Sequence, residues 1–386
     1  MLARPLFIGM FTDSYLPEIN GVVTSIVGTA RALRRRGHRV IVVAPAHEDA
    51  SESDDVFRLR SAPFPFYPQF RMAFPLPAKL VATLPRMPFD VVHVHSMFFI
   101  GCLGAYLAQF RKAPLFFTYH TRWTEYAHYL PQHQGLTRAQ AVWVSREFSN
   151  RCDGVIAPTA GIRDLLLSYG VERPIDIIST GVDLESFEGT NDATVARVRA
   201  KGTPLALFVG RLGKEKNVDL VLDAFAIAAA RIPGARLIIV GGGPHEAVLR
   251  EHAAALPCAD RIEFTGLLDQ TTLGAYYRAA DAFVFGSTTE TQGLVLLEAM
   301  AHGVPVVATD CPVSREVVSG DAGTLVPPHA TAFGAALFAL LAAGEAERAR
   351  RCTAAKAAAA PHSVDALTAL LERRYFDLAP RRAAAT

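Results

Sequence analysis

What the chain lacks narrows its function before anything present does. No apolar run approaches the ~20 residues that a membrane-spanning helix needs, and the longest, MFFIGCLGAYLA at 97–108, stops at about twelve. The opening MLARPLFIGMF has one Arg before its apolar stretch, but Asp13 and Pro17 follow and no small-residue cleavage site does. It reads as a buried first strand, not a signal peptide. Cysteine is sparse: the five, at 102, 152, 258, 311 and 352, are odd in number and fall in no CxxC or Cys/His spacing, which argues for a reducing compartment and against a structural zinc. An excess of charge is also missing, since 39 Lys and Arg against 37 Asp and Glu leave +2, so composition gives no case for a nucleic-acid partner. Several catalytic signatures do not occur: no GxxxxGK[ST], no GxGxxG, no GxSxG, no HExxH and no Asp-x-Asp. Nicotinamide chemistry and a metal held by paired aspartates therefore have no support.

What is present is an alternation. At 386 residues the chain exceeds the roughly 250–300 at which one core stops growing, so two domains are expected. Short Val/Ile-rich runs recur between helical patterns: LFIGMF (6–11), RVIVVAP (39–45), DVVHVH (90–95), LFFTYH (115–120) and GVIAPT (154–159), then PLALFVG (204–210), RLIIVGGG (236–243), RIEFTG (261–266), AFVFGS (282–287) and PVVATD (305–310). Runs apolar on both faces belong to parallel sheets covered by helices, which predicts an α/β chain of two doubly wound, Rossmann-like domains facing across a cleft. The polar, Gly-punctuated stretch at 180–204 places the boundary: 1–185 forms an N-terminal domain and 186–362 a C-terminal one. Residues 363–386 form a last amphipathic helix, packing back on the first domain, and a frayed APRRAAAT end.

In such sheets ligands sit beyond the carboxyl ends of the strands, so the loops there carry the candidates. After the first strand, Pro17 and Asn20-Gly21 make a turn into a helix whose amides can receive an anion, although a plain βα connection needs Gly equally. In FVGRLGKEKN, Arg211 and Lys216 follow a strand end, where two cations can hold a diphosphate as its bond to a sugar breaks. ETQGLVLLEAM puts Glu290 in a loop and Glu298 more than a turn into a helix. The amides of Gly293 and Leu294 lie between them at the positive end of the helix dipole. A carboxylate among Leu296, Leu297, Ala299 and Met300 needs a partner. His120 ends the LFFTYH run, where a polar cap and a cleft role are both open. Arg31, Arg34, Arg35, Arg36 and Arg39 gather in a helix and its following turn, as a solvated face or a surface for anionic lipid.

FTDSYLPEINGVVTSI, FVGRLGKEKN, GGGP, FTGLL and ETQGLVLLEAMAHGVPVVATD, in this order along nearly the whole chain, resemble the retaining glycosyltransferases of the GT-B fold known as family 4. The resemblance implies a metal-independent hexosyltransferase with no cofactor, whose partners are a nucleotide-sugar and a lipid acceptor. It implies that Arg211 and Lys216 hold the donor diphosphate, that Gly21 approaches donor and acceptor, and that Glu290 contacts the transferred sugar beside the amides of Gly293 and Leu294. Glu298 would bind ribose hydroxyls, backbone near Gly266 and Leu268 would read the base, and His120 would meet the sugar. Gln292 stands where many members have Phe, and PVSREVV (312–318) departs from the pattern that carries a third Glu, which leaves Glu316 without a firm counterpart.

Within the family, YHTRWTEYAHYLP and the stretch 150–184 look most like bacterial 1,2-diacylglycerol 3-glucosyltransferases, which use UDP-glucose and work from the cytoplasmic side of the cell membrane. A GDP-mannose-dependent α-mannosyltransferase is the alternative, and a degenerate sugar- or lipid-binding module is the non-enzymatic one. Residues 63–89 alternate aromatics and prolines with Arg71, Lys79 and Arg86 without regular periodicity, as either a bilayer-surface segment or a buried loop. Phe66, Tyr67, Phe70 and Arg71, with Arg122, Trp123 and Tyr126, are the acceptor- or membrane-facing candidates.

Overall fold

Side-chain alternation decides which layer each strand residue joins. In the first strand, β1 (Phe7–Phe11), Phe7 and Phe11 enter one core cluster while Ile8 and Met10 enter another on the opposite side of the sheet. The computed structural model describes residues 4–18, 20–51, 53–64, 67–73, 83–122, 124, 138–187, 192–290 and 292–383. The chain divides into two compact units, Met1–Gly181 with Val364–Thr386, and Val182–Ser363.

The first unit holds β1, β2 (Arg39–Pro45), β3 (Val56–Leu59), a hairpin of β4 (Ser61–Phe64) and β5 (Tyr67–Ala73), then β6 (Val91–Val94), β7 (Leu115–Thr118), β8 (Gly154–Ala157) and β9 (Ile175–Ile177). Seven of these form one sheet in the order β3-β2-β1-β6-β7-β8-β9, and every pairing in it is parallel. On one face lie α1 (Gly21–Arg35), through Ile26, Ala30 and Leu33, and the final helix. On the other lie α2 (Phe99–Arg111), α3 (Arg138–Asn150) and α4 (Ala160–Ser168), through Ile100, Leu107, Phe148, Ile162 and Leu166. Asn20 caps α1 by accepting from the amides of Val22 and Val23 at 3.0 Å, an arrangement worth about 1 kcal/mol.

The second unit repeats the plan with α5 (Asp192–Arg199), β10 (Leu205–Val209), α6 (Val218–Ala229), β11 (Arg236–Val240), α7 (Glu246–Ala255), β12 (Ile262–Gly266), α8 (Gln270–Ala279), β13 (Ala282–Phe285), α9 (Leu294–Ala301), β14 (Val306–Thr309), α10 (Pro312–Val317), β15 (Gly323–Val326), α11 (Ala330–Leu341) and α12 (Glu345–Ala359). Its parallel sheet runs β12-β11-β10-β13-β14-β15. Leu205, Leu207 and Val209 pack with Tyr277, Leu296 and Ala355 on one side, and Ala206 and Phe208 with Val221, Phe225, Leu249 and Leu337 on the other. Each fully buried large side chain such as Phe208 contributes about 1.5–3 kcal/mol.

The last helix, α13 (Val364–Ala383), belongs to the first unit and continues through APRR instead of fraying there. Leu371 and Tyr375 enter the cluster of Ile8 and Met10. Its polar face binds the arginine cluster: Arg35 pairs with Asp365 at 2.8 Å, Arg36 with Glu372 at 2.5 Å, and His38 lies 2.7 Å from Glu372. Arg34 meets Asp55 at 3.2 Å, and Arg39 lies over the Phe7 ring. Arg34, Arg35, Arg36 and Arg39 are thus each engaged by an intramolecular carboxylate or ring, while Arg31, Arg35, Arg36 and Arg39 stay on the exposed face. The stretch expected to lack regular structure begins with the β4–β5 hairpin and includes a 3-10 turn at Leu84–Arg86.

Candidate active site

Both sheets reverse their order at a central strand, and there the loops on either side splay apart. In the second unit this point lies between β10 and β13. Arg211, Leu212 and Gly213 leave β10 against the Gly241–Gly243 turn: the Leu212 amide donates to the Gly242 carbonyl at 3.0 Å, and a Cβ on Gly241 would fall 1.9 Å from the Gly210 carbonyl oxygen. That backbone approach explains the GGG run without a dinucleotide. Lys214–Lys216 then form a 3-10 turn ended by Asn217 at φ 50°.

The loop after β13 is tied to this turn. Asn217 Nδ2 donates to the Gly286 carbonyl at 3.0 Å, Thr309 Oγ1 donates to the same carbonyl at 2.9 Å, and Ser287 Oγ donates to the Glu215 carbonyl at 3.2 Å. The result holds Lys216 against Glu290, Nζ to Oε1, with the two side chains 22% and 17% exposed. Arg211 Nη2 reaches Glu215 Oε1 at 2.9 Å. Gly293, at φ 71°, precedes α9, and Leu294 is that helix's first residue. Arg211, Lys216, Glu290, Gly293 and Leu294 thus come from the two loops of one switch point.

Glu298 sits deeper. It is 7% exposed and accepts from the Tyr277 hydroxyl at 2.8 Å; Tyr277 is fully buried and stacks on His302, whose Nδ1 lies 2.8 Å from the Glu298 carbonyl oxygen. Burial pushes the Glu298 carboxyl up to about 7, against the Tyr277 hydrogen bond that favours its ionised form. The partner that a carboxylate in this helix requires is therefore a tyrosine of α8. Gly266, at φ 73°, ends β12 and accepts from the Gly241 amide at 2.9 Å. Leu267 projects at 74% exposure, and Leu268 packs on the core. Glu316 lies on α10 with its side chain exposed.

In the first unit the switch point lies between β1 and β6. Asp13, 1% exposed, accepts from Ser96 Oγ and from the Ile100 amide at 3.0 Å, and so caps α2; burial raises its pKa. His120, two residues past β7, places Nε2 3.0 Å from Nδ1 of His95. His93 lies 2.6 Å from the Tyr375 hydroxyl and 2.7 Å from Thr118 Oγ1, and its ring centre is 4.2 Å from that of His95. Burial lowers His120 to about 4 and His93 to about 3, and pushes His95 well down, so all three are neutral at pH 7. Gly21 opens α1 with no atom within 4 Å of an added Cβ. Two of the amides read as an anion seat there, Val22 and Val23, are already satisfied by Asn20.

The membrane-facing candidates divide. Arg71 is 12% exposed, donates from Nε to Ser61 Oγ at 3.1 Å and lies 3.7 Å from Glu48, so the hairpin takes it inward and it is no surface cation. Arg122 is half-buried in the loop after β7. Tyr67 and Phe70 are β5 positions, while Phe66, Trp123 and Tyr126, like Lys79, lie outside the described residues. Sequence reasoning missed Glu215, Asn217, Tyr277, Asp13, His93 and His95. The visible signals were Glu215 between two lysines and the HVH of 93–95 at a strand end.

Two sheets of this order, each with polar groups at its reversal point, define a GT-B architecture. Residues 19–186 match the profile of "Glycosyltransferase Family 4" and residues 192–358 that of "Glycosyl transferases group 1". The chain is 33% identical over 345 residues to the alpha-monoglucosyldiacylglycerol synthase of Streptococcus pneumoniae, covering 87% of this chain and 78% of that one. It is 30% identical over 334 residues to a GDP-mannose-dependent alpha-mannosyltransferase of Mycobacterium tuberculosis, covering 84% and 82%. Among solved structures, Anabaena HepE in complex with UDP and glucose superposes with a TM-score of 0.75 over 97% of this chain and 100% of that one, at 18% identity. The chain belongs to the group 1, family 4 glycosyltransferases, and it is an enzyme of that class.

Proposed function

We propose that the chain transfers a hexose from UDP-glucose to a lipid acceptor such as diacylglycerol, retaining configuration to give an α-glycoside. The observation that carries this reading is the pair of cation–carboxylate contacts, Arg211 with Glu215 and Lys216 with Glu290, set on loops of one switch point beside the start of α9. Cations held in this way can exchange a carboxylate for a diphosphate without moving far. The diphosphate's charge rises as the sugar leaves, and both side chains and the amides of Gly293 and Leu294 then bind it more tightly than they bind the intact donor. Glu290, released by Lys216, accepts from hydroxyls of the transferred sugar. The acceptor hydroxyl attacks the anomeric carbon, and its proton passes to a leaving phosphate oxygen. Arg211 and Lys216 supply the positive charge, so the reading includes no metal ion and no cofactor. Turnover unchanged in EDTA is the expected outcome.

The lipid acceptor puts the enzyme at a membrane surface, in this reading the inner face of the cell membrane, as a peripheral protein. The test is to offer radiolabelled UDP-glucose, UDP-galactose and GDP-mannose with diacylglycerol vesicles and to analyse the lipid products and their anomeric configuration. Label from UDP-glucose in an α-linked glycolipid supports the reading. Label only from GDP-mannose supports the second one, an α-mannosyltransferase, which the likeness to the mycobacterial enzyme favours. Donor binding without transfer would mark a degenerate binding module.

A further inference from the structure

Helix α2 carries an apolar stripe on the wrong side. Its inner face, Ile100, Gly104, Leu107 and Ala108, is buried as the core requires. On the outer face Phe99, Tyr106 and Phe110 follow at spacings of seven and four, which brings them onto one line, while half-buried Leu103 between them packs on the core. Phe99, Tyr106 and Phe110 are 53%, 62% and 59% exposed, on the side where a helix of a soluble domain presents polar groups. Beside the stripe lies a groove of about 840 Å³ lined by Cys102, Tyr106, Gln109, Lys112, Arg151 and Arg173. Lys112 and Arg151 have no ion-pair partner among the described residues, and Arg111 next to Lys112 has none either. The Arg173 guanidinium is oriented by Nε donating to the Asn150 carbonyl at 2.9 Å. Against these four cations stand Asp153, whose carboxylate accepts from the Leu115 amide, and Glu172, so the local balance is positive.

We propose that this face of the first unit, the Phe99–Phe110 stripe with the Lys112–Arg151–Arg173 groove, docks on a bilayer carrying anionic phospholipids. A water-soluble protein partner would accommodate either feature, but a bilayer interface supplies both together: an acyl boundary for aromatic rings and phosphates for cations beside them. The inference deepens the lipid-acceptor reading and rests on it for its purpose, while the docking itself needs no donor.

The experiment sediments the full chain with phosphatidylcholine vesicles with and without phosphatidylglycerol, no nucleotide-sugar present. The expected result is binding to the anionic vesicles that weakens with salt, a loss of about fivefold for each of Lys112→Ala and Arg151→Ala, and a loss of about tenfold or more for Tyr106→Ser with Phe110→Ser. Both aromatic side chains are more than half exposed, so the variants should keep the wild-type melting temperature and the wild-type rate on detergent-dispersed diacylglycerol. Wild-type binding that ignores phosphatidylglycerol, unaltered binding by the variants, or a Tyr106→Ser chain that falls from dimer to monomer in light scattering each overturns the proposal; the last would make the stripe a contact between copies. A chain that docks as described yet glycosylates no lipid refutes the functional reading and leaves the docking surface standing.

Discussion

The two switch points share a topology and differ in chemistry. In the second unit the polar groups are charged, partly exposed and paired two by two, Arg211 with Glu215 and Lys216 with Glu290. In the first they are neutral histidines and a capping aspartate, buried and bound to one another, to Thr118 and to Tyr375 of α13. An exposed ion pair is worth little in water and gives up its partner readily. A buried neutral network fixes geometry instead, here through both ring nitrogens of His93, Nδ1 of His95 and Nε2 of His120. His95 Nε2 is buried with no hydrogen-bond partner among the described residues. The same βα scaffold therefore offers one edge suited to receiving a charged ligand and another suited to holding a ring in place.

The largest test removes the exchangeable charge. Lys216→Ala should lower kcat by about 10²–10³, the cost of losing one donor to a developing anion, with little change in melting temperature because the pair is a partly exposed one. Steady-state kinetics alongside a thermal melt measures both. Near-wild-type turnover would show that the second unit's charges do not serve the diphosphate, and the contrast between the two edges would lose its functional meaning.

A smaller effect probes an exception on the charged side, the buried carboxylate of Glu298. Glu298→Ala leaves the Tyr277 hydroxyl buried without its acceptor and should cost about 1–3 kcal/mol of stability, read by calorimetry. Glu298→Gln keeps an acceptor oxygen and should melt near wild type. If its donor KM nevertheless rises, Glu298 meets the ribose as well as Tyr277. If KM is unchanged, its work is to hold α9 on α8.

Glu298 and the pair His93 and His120 should also answer pH with opposite signs, His302 siding with the histidines of the first unit and Asp13 with Glu298. Glu298 has its pKa raised to about 7 from an ordinary 4.5, so the stability it contributes is full below 4.5 and is lost as pH rises to about 7. His120 and His93 are lowered to about 4 and about 3 from 6.5, so theirs is full above 6.5 and is lost as pH falls through these values. Hydrogen exchange followed between pH 7 and pH 4 should show β6 and β7 losing protection while α8 and α9 gain it. Parallel changes in these two pairs of elements would break the comparison.

These contrasts were unevenly legible in the sequence. The central strands announced themselves because both faces are covered, as in VVAT of β14, where every residue is buried. The edge strands β9 and β15 are only half-buried, so their residues make no continuous apolar run and went unread. Lys216 and Glu290 were found because glycines and charges stood together at strand ends. Tyr277 was not, since nothing in an apolar helix says that its hydroxyl meets a carboxylate 21 residues on. The partners of Arg35 and Arg36 went unread because Asp365 and Glu372 lie more than 300 positions away.

The smallest expected effect sharpens the first unit's role. Gly21 opens α1 at a position with no atom within 4 Å of an added Cβ, and its backbone lies outside the left-handed region. Gly21→Ala should therefore stabilise the chain by about 0.4–1 kcal/mol through the unfolded state and better helix propensity, a rise of a few degrees at most. If the open space exists so that donor or acceptor can approach the backbone, the same methyl must raise KM while the melting temperature climbs. Stability and affinity moving in opposite directions would show that the glycine is kept for a ligand. A more stable chain with unchanged KM would return it to being only a turn into a helix already capped by Asn20.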